Sequence, residues 1–393
     1  MNILMITPYY PIPNNERLGK QTEVVHYFTK RWVALGHNVL VIHLRYPHLK
    51  ETMNVFRALA SLKYKAPDFM DIDGVNVARI DCFRWRFGDL RLLGIQKRNA
   101  MRFIVQATEQ ANFSPDKIIT HFPGVTMWLM EWMKEKYNCP QMGVFHKSDL
   151  NAATKQAFFD AARYPEVYSA LGFRSSNLLE EFERKCEVDI PKYVLNSGVP
   201  EDILPTCPKQ YSGNKKMKLL FAGRLLAYKN VKYVLQALAM SNDELDVEFK
   251  IVGDGPCKNK LQKYVKKHGL SEKVTFVGRV PREKVFEYMR EANVFITVSH
   301  PETFGLVYLE AMACGAIVVG CKGTGIAGIV KHGENGFLAE HENPFEILEI
   351  LKFIQEVPLD KKNEILLNSF NTVVQLGDNQ VAEYYLECVN GLK

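Results

Sequence analysis

The sequence has no Cys-x-x-Cys pair, although it carries eight cysteines, at 82, 139, 186, 207, 257, 314, 321 and 388. Scattered thiols of this kind exclude a disulfide scaffold and a zinc module. They predict buried cysteines in a reducing compartment, the cytoplasm. No apolar run approaches the ~18 residues that a membrane-spanning helix needs. The opening, Met1-Asn2-Ile3-Leu4-Met5-Ile6-Thr7-Pro8, lacks the basic start and cleavage site of a secretory signal. It predicts a short buried strand stopped by proline. Low-complexity tracts and fixed-period repeats are missing. So are a Walker loop, a Gly-x-Ser-x-Gly elbow and a His-Glu-x-x-His pair, which sets aside the chemistries those motifs carry.

What is present is an ordinary globular composition: 393 residues, 47% apolar, 24% charged and 11% aromatic. That length predicts about two domains, each able to bury its own core. The net charge of +6 sits wholly in residues 1–200, which hold 26 basic and 20 acidic residues against 24 of each in 201–393. Within 79–102 seven basic residues (Arg79, Arg84, Arg86, Arg91, Lys97, Arg98 and Arg102) face Asp81 and Asp89 alone. A one-sided balance points to an anionic partner. Trp85, Phe87, Leu90, Leu92, Leu93 and Ile95 interleave with these cations across 84–102. Two readings fit equally: a surface lying on anionic lipid headgroups, or an insertion helix packed on its own domain. No nucleic-acid module accompanies the patch, so nucleic acid is not an expected partner.

Strand and helix patterns alternate, which predicts mostly parallel sheets covered on both faces. The first half gives strands at Ile3–Ile6, Val39–His43, Val75–Ile80, Lys117–Thr120 and Met142–Phe145, with helices at Thr22–Leu35 and Gln96–Ala111. Pro200, Pro205, Pro208 and Gly213 then punctuate a polar stretch ending in Lys215-Lys216, the expected linker. Beyond it come strands at Lys218–Ala222, Val247–Val252, Val274–Val277, Val294–Val298 and Ala316–Gly320. The helices between them are Asn230–Ala239, Lys258–Lys267, Arg282–Arg290 and Leu306–Cys314. The expected architecture is two doubly wound α/β domains, 1–200 and 201–375, with the active site in a cleft between them.

Two segments could carry chemistry. Ser299-His300-Pro301-Glu302-Thr303-Phe304-Gly305-Leu306 leads from a strand into a helix that bears Glu310 on its second turn. Free N–H groups and the positive dipole end at such a junction suit a phosphate or diphosphate, and Gly305 permits close approach. Glu302 and Glu310 either face that ligand, one at each end, or serve as a first-turn carboxylate and a solvated helix residue. In Phe221-Ala222-Gly223-Arg224-Leu225-Leu226-Ala227-Tyr228-Lys229-Asn230, Arg224 and Lys229 follow the first strand of the second domain. A guanidinium fork and an ammonium point charge suit a diphosphate leaving group, though surface charge is the blander alternative.

Taken in order, Gly-Arg-x4-Lys, Val252-Gly253-Asp254-Gly255-Pro256, Phe276-Val277-Gly278-Arg279-Val280 and the Glu-x7-Glu of 302–310 resemble the retaining glycosyltransferases of family 4. The likeness spans 222–338. It implies the GT-B fold: two Rossmann-like domains facing across a cleft. The first domain adds Gly19 before a helix, Gly36-His37-Asn38-Val39 after it, and His121 and His146 at successive strand ends. Asn196-Ser197-Gly198-Val199 resembles the family's turn before the linker. Residues 376–393 look like the last helix, which packs back on the first domain. Two departures stand out: the usual double glycine is Leu18-Gly19, and Gly325-Ile326-Ala327-Gly328-Ile329-Val330 lacks the carboxylate usual at 328.

The resemblance implies transfer of a hexose-type residue from a nucleotide-diphosphate sugar (UDP- or GDP-type) to a glycan or lipid-linked acceptor of the cell envelope. Arg224 and Lys229 would neutralise the departing diphosphate, helped by the backbone at Phe304 and Gly305, and Glu302 would orient the sugar hydroxyls. Gly19, Thr303, Leu306 and Val280 would complete the donor site, and Glu310 would accept from the ribose. His121 and His146 would line the sugar and acceptor side. The departing phosphate would take the acceptor's proton, so no carboxylate base is named. The family works without a metal or other cofactor, and Asp71-Ile72-Asp73 is read as a turn before a strand rather than a metal motif. The expected location is the cytoplasm, at the inner face of the membrane. Two other readings remain, a nucleotide-sugar epimerase of GT-B fold and a non-catalytic scaffold.

Overall fold

The computed structural model describes residues 1–11, 24–45, 64–82, 94–153, 161–211, 216–302 and 304–393. The chain forms two compact units: Met1–Arg174 with Leu178–Leu195 and Ala382–Lys393, and Ser175–Asn177 with Asn196–Val381.

The first unit is built on eight strands: β1 (Asn2–Thr7), β2 (Asn38–Arg45), β3 (Phe69–Ile72), β4 (Val75–Asp81), β5 (Lys117–His121), β6 (Gln141–Phe145), β7 (Ala170–Phe173) and β8 (Lys192–Val194). Their order is β3-β4-β2-β1-β5-β6-β7-β8. All neighbours run parallel except β3, which pairs antiparallel with β4. Strand β1 is buried from Ile3 to Thr7 because helices cover both faces of a parallel sheet. The β3–β4 hairpin turns at Asp73-Gly74, both with positive φ, and the Gly74 N–H donates to Asp71 Oδ1 at 3.0 Å. Asp71-Ile72-Asp73 is therefore the end of a strand and its hairpin turn. The last helix, Asp378–Asn390, contributes residues 382–390 to this unit. There Trp32 Nε1 donates to Ala382 O at 2.8 Å, and Tyr385 sets its ring edge-on against Phe28 and Trp32.

The second unit has six parallel strands: β9 (Met217–Ala222), β10 (Val247–Val252), β11 (Val274–Gly278), β12 (Val294–Ile296), β13 (Ile317–Cys321) and β14 (Phe337–Ala339). Their order is β11-β10-β9-β12-β13-β14. Strand β12 stops two residues short of the expected Val298, where the chain turns toward the site. Two apolar clusters flank the sheet, one around Phe249, Ile317 and Leu351 and one around Phe295, Tyr308 and Met312.

In each sheet the strand order reverses once, between β1 and β5 and between β9 and β12. Loops leaving neighbouring strands at such a reversal diverge to opposite faces and leave a crevice at the carboxyl ends. The segments bearing Arg224, Lys229 and Glu302 lie on the loops after β9 and β12, while Gly253–Pro256, Arg279-Val280 and His146 follow β10, β11 and β6. The expected burial of the cysteines holds for Cys82, Cys314, Cys321 and Cys388 only. Cys139, Cys186 and Cys257 are half-buried and Cys207 is exposed, because they lie at loops and helix edges. All eight thiols are free. Among the described residues no helix is long and apolar enough to cross a membrane.

Candidate functional site

In the second unit the loops after β9, β10 and β11 are tied together through their backbones. Gly223 N–H donates to Val252 O at 2.9 Å, Leu225 N–H to Asp254 O at 2.9 Å and Gly253 N–H to Gly278 O at 2.8 Å. This contact needs glycine: a Cβ on Gly253 would lie 1.9 Å from Gly223 O, and one on Gly255 2.5 Å from Leu225 O. Both glycines also have positive φ. The Val252–Pro256 motif thus acts as the brace that fixes the path of Gly223-Arg224-Leu225.

Arg224 is exposed on that path. Lys229 is brought back across the sheet by a short 3-10 turn, Ala227–Lys229, which two bonds hold against the end of β12. His300 N–H donates to Tyr228 O at 2.9 Å, and the buried Asn230, itself left-handed at φ 57°, donates from Nδ2 to Val298 O at 2.8 Å. The result is an ion pair, Lys229 Nζ to Glu302 Oε2 at 2.7 Å, with both side chains only 18% exposed. Thr303 lies outside the described residues. Phe304 is buried, and Gly305 (φ 82°) opens the helix Leu306–Ala313. A Cβ at 305 would meet the Tyr308 ring at 2.5 Å. Tyr308 donates from its hydroxyl to Thr297 O at 2.7 Å and so straps the helix start to the strand end. The Tyr308 N–H bonds back to Gly305 O at 2.9 Å; the N–H groups ahead of it, at the start of the helix, have no intrahelical acceptor and suit an anion.

Glu310, one turn further in, is paired with a residue the sequence reading passed over. Arg282 Nη2 donates to Glu310 Oε1 at 2.7 Å. Burial pushes the Glu310 carboxyl up from its ordinary range, and Arg282 draws it partly back. The two glutamates of the Glu-x7-Glu motif are thus each held by a different cation. Val280 is half-buried in the short connection between β11 and the helix Arg282–Glu291, against the Phe286 and Met289 cluster.

In the first unit His121 and His146 are brought into direct contact. Their Nδ1 and Nε2 atoms are hydrogen-bonded at 3.0 Å, and Tyr385 Oη bonds the other nitrogen of His121 at 3.3 Å. Burial, with the neighbouring Arg174 guanidinium, holds His121 well below the ordinary imidazole range. His146 is lowered by burial as well, then by His121 and Arg174. Both rings are neutral, so each can donate through one nitrogen and accept through the other. His146 stacks on Phe122 at 3.7 Å and 9°, and Tyr9, 44% exposed, meets Phe122 edge-on at 4.9 Å. Phe122 has φ 63°, an unusual value for a non-glycine residue. The buried Asp149 fixes the loop by accepting from the His146 N–H at 2.7 Å and the Gly124 N–H at 3.2 Å. Gly19 lies outside the described residues, as do 84–93 of the basic segment. Residues 94–102 begin the helix Gly94–Gln110, which buries Gln96, Ala100 and Phe103 and leaves Ile95 and Arg98 exposed.

Residues 208–367 match the family model for glycosyl transferases group 1. The chain is 28% identical over 236 residues to an uncharacterized glycosyltransferase of Methanocaldococcus jannaschii, covering 58% of this chain and 62% of that one. It is 34% identical over 133 residues to the N-acetyl-alpha-D-glucosaminyl L-malate synthase of Bacillus anthracis, 34% of each chain. With the GPI3 subunit of a Saccharomyces cerevisiae phosphatidylinositol N-acetylglucosaminyltransferase it shares 29% over 339 residues, 84% of this chain and 70% of that. The chain thus spans about three fifths and one third of the lengths of the first two relatives. The Anabaena HepE structure in complex with UDP superposes with a TM-score of 0.70 at 18% identity over the whole of both chains. Sucrose-phosphate synthase from Thermosynechococcus elongatus gives 0.68 at 17%, over 100% and 99%. At such identities the likeness is one of fold, and the fold is GT-B, two Rossmann-like units.

Proposed function

We propose that the chain is a retaining, metal-independent glycosyltransferase of the family 4 type that takes a sugar from a uridine-diphosphate donor to a glycan or lipid-linked acceptor. The observation that carries this reading is the constellation at the β9/β12 reversal. There Lys229 pairs with Glu302 just ahead of a glycine-opened helix start, and the exposed Arg224 lies on the same loop after β9, all within the stretch that matches the group 1 transferases. A diphosphate arriving at that helix start competes with Glu302 for Lys229. The exchange releases Glu302 to the sugar hydroxyls and places Lys229 and Arg224 where negative charge grows as the glycosidic bond breaks. Charge stabilisation that strengthens in the transition state is what raises turnover. Glu310 takes the ribose hydroxyls. Of the neutral His121–His146 pair, the half-buried His146 is assigned to sugar and acceptor hydroxyls, and His121, whose two nitrogens are bonded to His146 and Tyr385, orients it. Uridine is chosen because HepE, a protein of the same fold, is described in complex with UDP and with UDP-glucose. Envelope glycan or glycolipid synthesis, with the basic segment 84–102 on anionic headgroups at the inner face of the membrane, is the setting this reading favours.

The test is a thermal-shift screen of UDP, GDP, ADP and their sugar conjugates in EDTA. A nucleotide at ~100 times its dissociation constant stabilises by about 2.7 kcal/mol. One EDTA-insensitive hit supports the donor site and identifies the base. Stabilisation by none of them overturns the reading in favour of a non-catalytic scaffold. Conversion of the donor without any acceptor would mark an epimerase.

A further inference from the structure

The Arg282–Glu310 pair lies beside a concentration of negative charge. Arg282 opens the helix Arg282–Glu291, and Glu310 projects from the facing helix Leu306–Ala313, 14% exposed. Asp378, at the start of the last helix, interacts electrostatically with both Arg282 and Glu310, and with Glu201 and Asp202 on the incoming linker. Backbone bonds bring these segments together: Val199 N–H donates to Leu376 O and Asp378 N–H to Val199 O, each at 2.8 Å. Cys314, on the last turn below Glu310, is a buried thiol whose other charged neighbours are Arg290 and Lys209. Glu310 therefore has Asp378 and Cys314 as acidic neighbours and Arg282 as its bonded cation. Among the described residues its Oε2 has no hydrogen-bond partner, whereas Oε1 is taken by Arg282.

We propose that Arg282 is a positioning residue for the donor nucleotide: by holding Oε1 it keeps Glu310 ionised and presents Oε2 to the ribose hydroxyls. The inference rests on the donor-site reading above and adds to it the residue that makes the ribose carboxylate competent. An isolated, mostly buried carboxylate next to Asp378 favours its protonated form. A protonated carboxyl accepts less well from two vicinal hydroxyls than a carboxylate does. Loss of the Arg282 charge therefore raises the pH at which Glu310 protonates, and donor affinity follows the ionised fraction. Each unit of that rise costs up to tenfold in affinity at the acid end. At alkaline pH, where Glu310 ionises with or without Arg282, the loss is small.

The experiment titrates UDP by calorimetry into the wild type, Arg282→Gln, Arg282→Lys and Glu310→Gln from pH 5.5 to 8.5, with the melting temperature recorded for each. Every affinity is taken as a ratio to wild type at the same pH, which cancels the nucleotide's own titration. The expected Arg282→Gln ratio is within about threefold of unity at pH 8.5 and grows to about tenfold at pH 5.5. Arg282→Lys restores most of the wild-type profile. Glu310→Gln weakens UDP about tenfold across the whole range, the size of a lost charge-assisted hydrogen bond. An Arg282→Gln ratio that is large but independent of pH overturns the proposal, since direct contact with the donor or a structural role would act alike at every pH. A ratio of unity throughout, with Glu310→Gln impaired, also overturns it while leaving the ribose assignment standing. If Glu310→Gln binds UDP as the wild type does, the ribose assignment fails and the inference falls with it. GDP replaces UDP throughout if the wild type gives no heat with UDP, and if it binds neither, the donor reading itself is refuted.

Discussion

The two sheet reversals hold their polar side chains in opposite ways. At β1/β5 the hydrogen-bonded groups are uncharged and chained, Tyr385 to His121 to His146, with His146 stacked on Phe122 and the buried Arg174 guanidinium nearby. At β9/β12 they are charged and paired: Lys229 with Glu302, and Arg282 with Glu310. A neutral chain keeps its geometry when a ligand comes or goes, because no member needs a counter-ion. An ion pair is a place-holder, since an arriving anion can take the cation and free the carboxylate. Under the proposed function the difference matches the division of labour: exchange of a diphosphate is assigned to the second unit and hydroxyl recognition to the first.

The strongest way to break the comparison is acid. His43, buried in the first unit, is pushed down to about 3 by burial and by Arg79. It accepts from Arg79 Nε on Nδ1 and donates from Nε2 to Pro8 O. His121 and His146 are lowered as well. A histidine with a depressed folded-state pKa binds its proton more readily when unfolded, so its stabilising contribution is complete above pH ~6.5 and is lost as pH falls toward the folded value. The slope is up to about 1.4 kcal/mol per pH unit for each such group. Denaturant melts followed by the first unit's tryptophans between pH 7.5 and 4.5 should show that loss, and His43→Gln should reduce the slope. A flat profile would mean these rings take up protons in the fold as readily as in the unfolded chain.

The next effect is on turnover. Lys229→Ala should lower the rate of UDP release from a UDP-sugar by ~100- to 1000-fold, the scale of a lost transition-state electrostatic contact. His146→Gln, which removes neither a charge nor a counter-ion, should cost less than Lys229→Ala. Equal losses would erase the distinction between the two sites.

A smaller test concerns the brace. Gly253→Ala, forced to put a Cβ against Gly223 O, should destabilise the second unit by about 2–3 kcal/mol or more. Gly36→Ala, also at positive φ but with nothing within 4 Å, should cost about 1 kcal/mol. Chemical denaturation of both variants gives the comparison, and similar values would show that backbone strain alone, not loop contact, sets the need for glycine at 253.

The smallest effect is a gain. The Asp378 carboxyl is raised to about 6 by burial and by Glu201, so its ionisation on going above that pH opposes folding. Asp378→Asn should therefore stabilise the second unit by about 1–2 kcal/mol at pH ~8 and have little effect at pH ~3, where the carboxyl is mostly protonated in both the folded and the unfolded chain. The difference between the two melting shifts is the measurement.

Much of this arrangement was legible in the sequence because it lies on short stretches of chain. Strand β1, β5 or β9 is a run of apolar residues with a turn signal at its end. Lys229, Glu302 and Gly305 sit on the loops that follow β9 and β12, and Glu310 on the helix that the second loop opens. What escaped was set by distance along the chain or by brevity. Strands β7 and β8 have four and three residues, too few for a period to register. The helix Pro123–Tyr137 carries Met and Trp on several faces, so no single apolar stripe marks it. Arg282 meets Glu310 across 28 residues, and Tyr385 meets His121 across 264. Neither pairing has a local signature: in the sequence Arg282 is simply the first residue of an expected helix.

The central claim is that the second unit binds a nucleoside diphosphate through the cations that follow β9. Calorimetric titration of UDP, in EDTA, into the wild type and the Arg224→Ala/Lys229→Ala double variant tests it most directly. The account predicts saturable one-to-one binding to the wild type and a loss of at least 100-fold in the double variant, with its melting temperature in the absence of nucleotide essentially preserved. Equal affinity in the two proteins would contradict it.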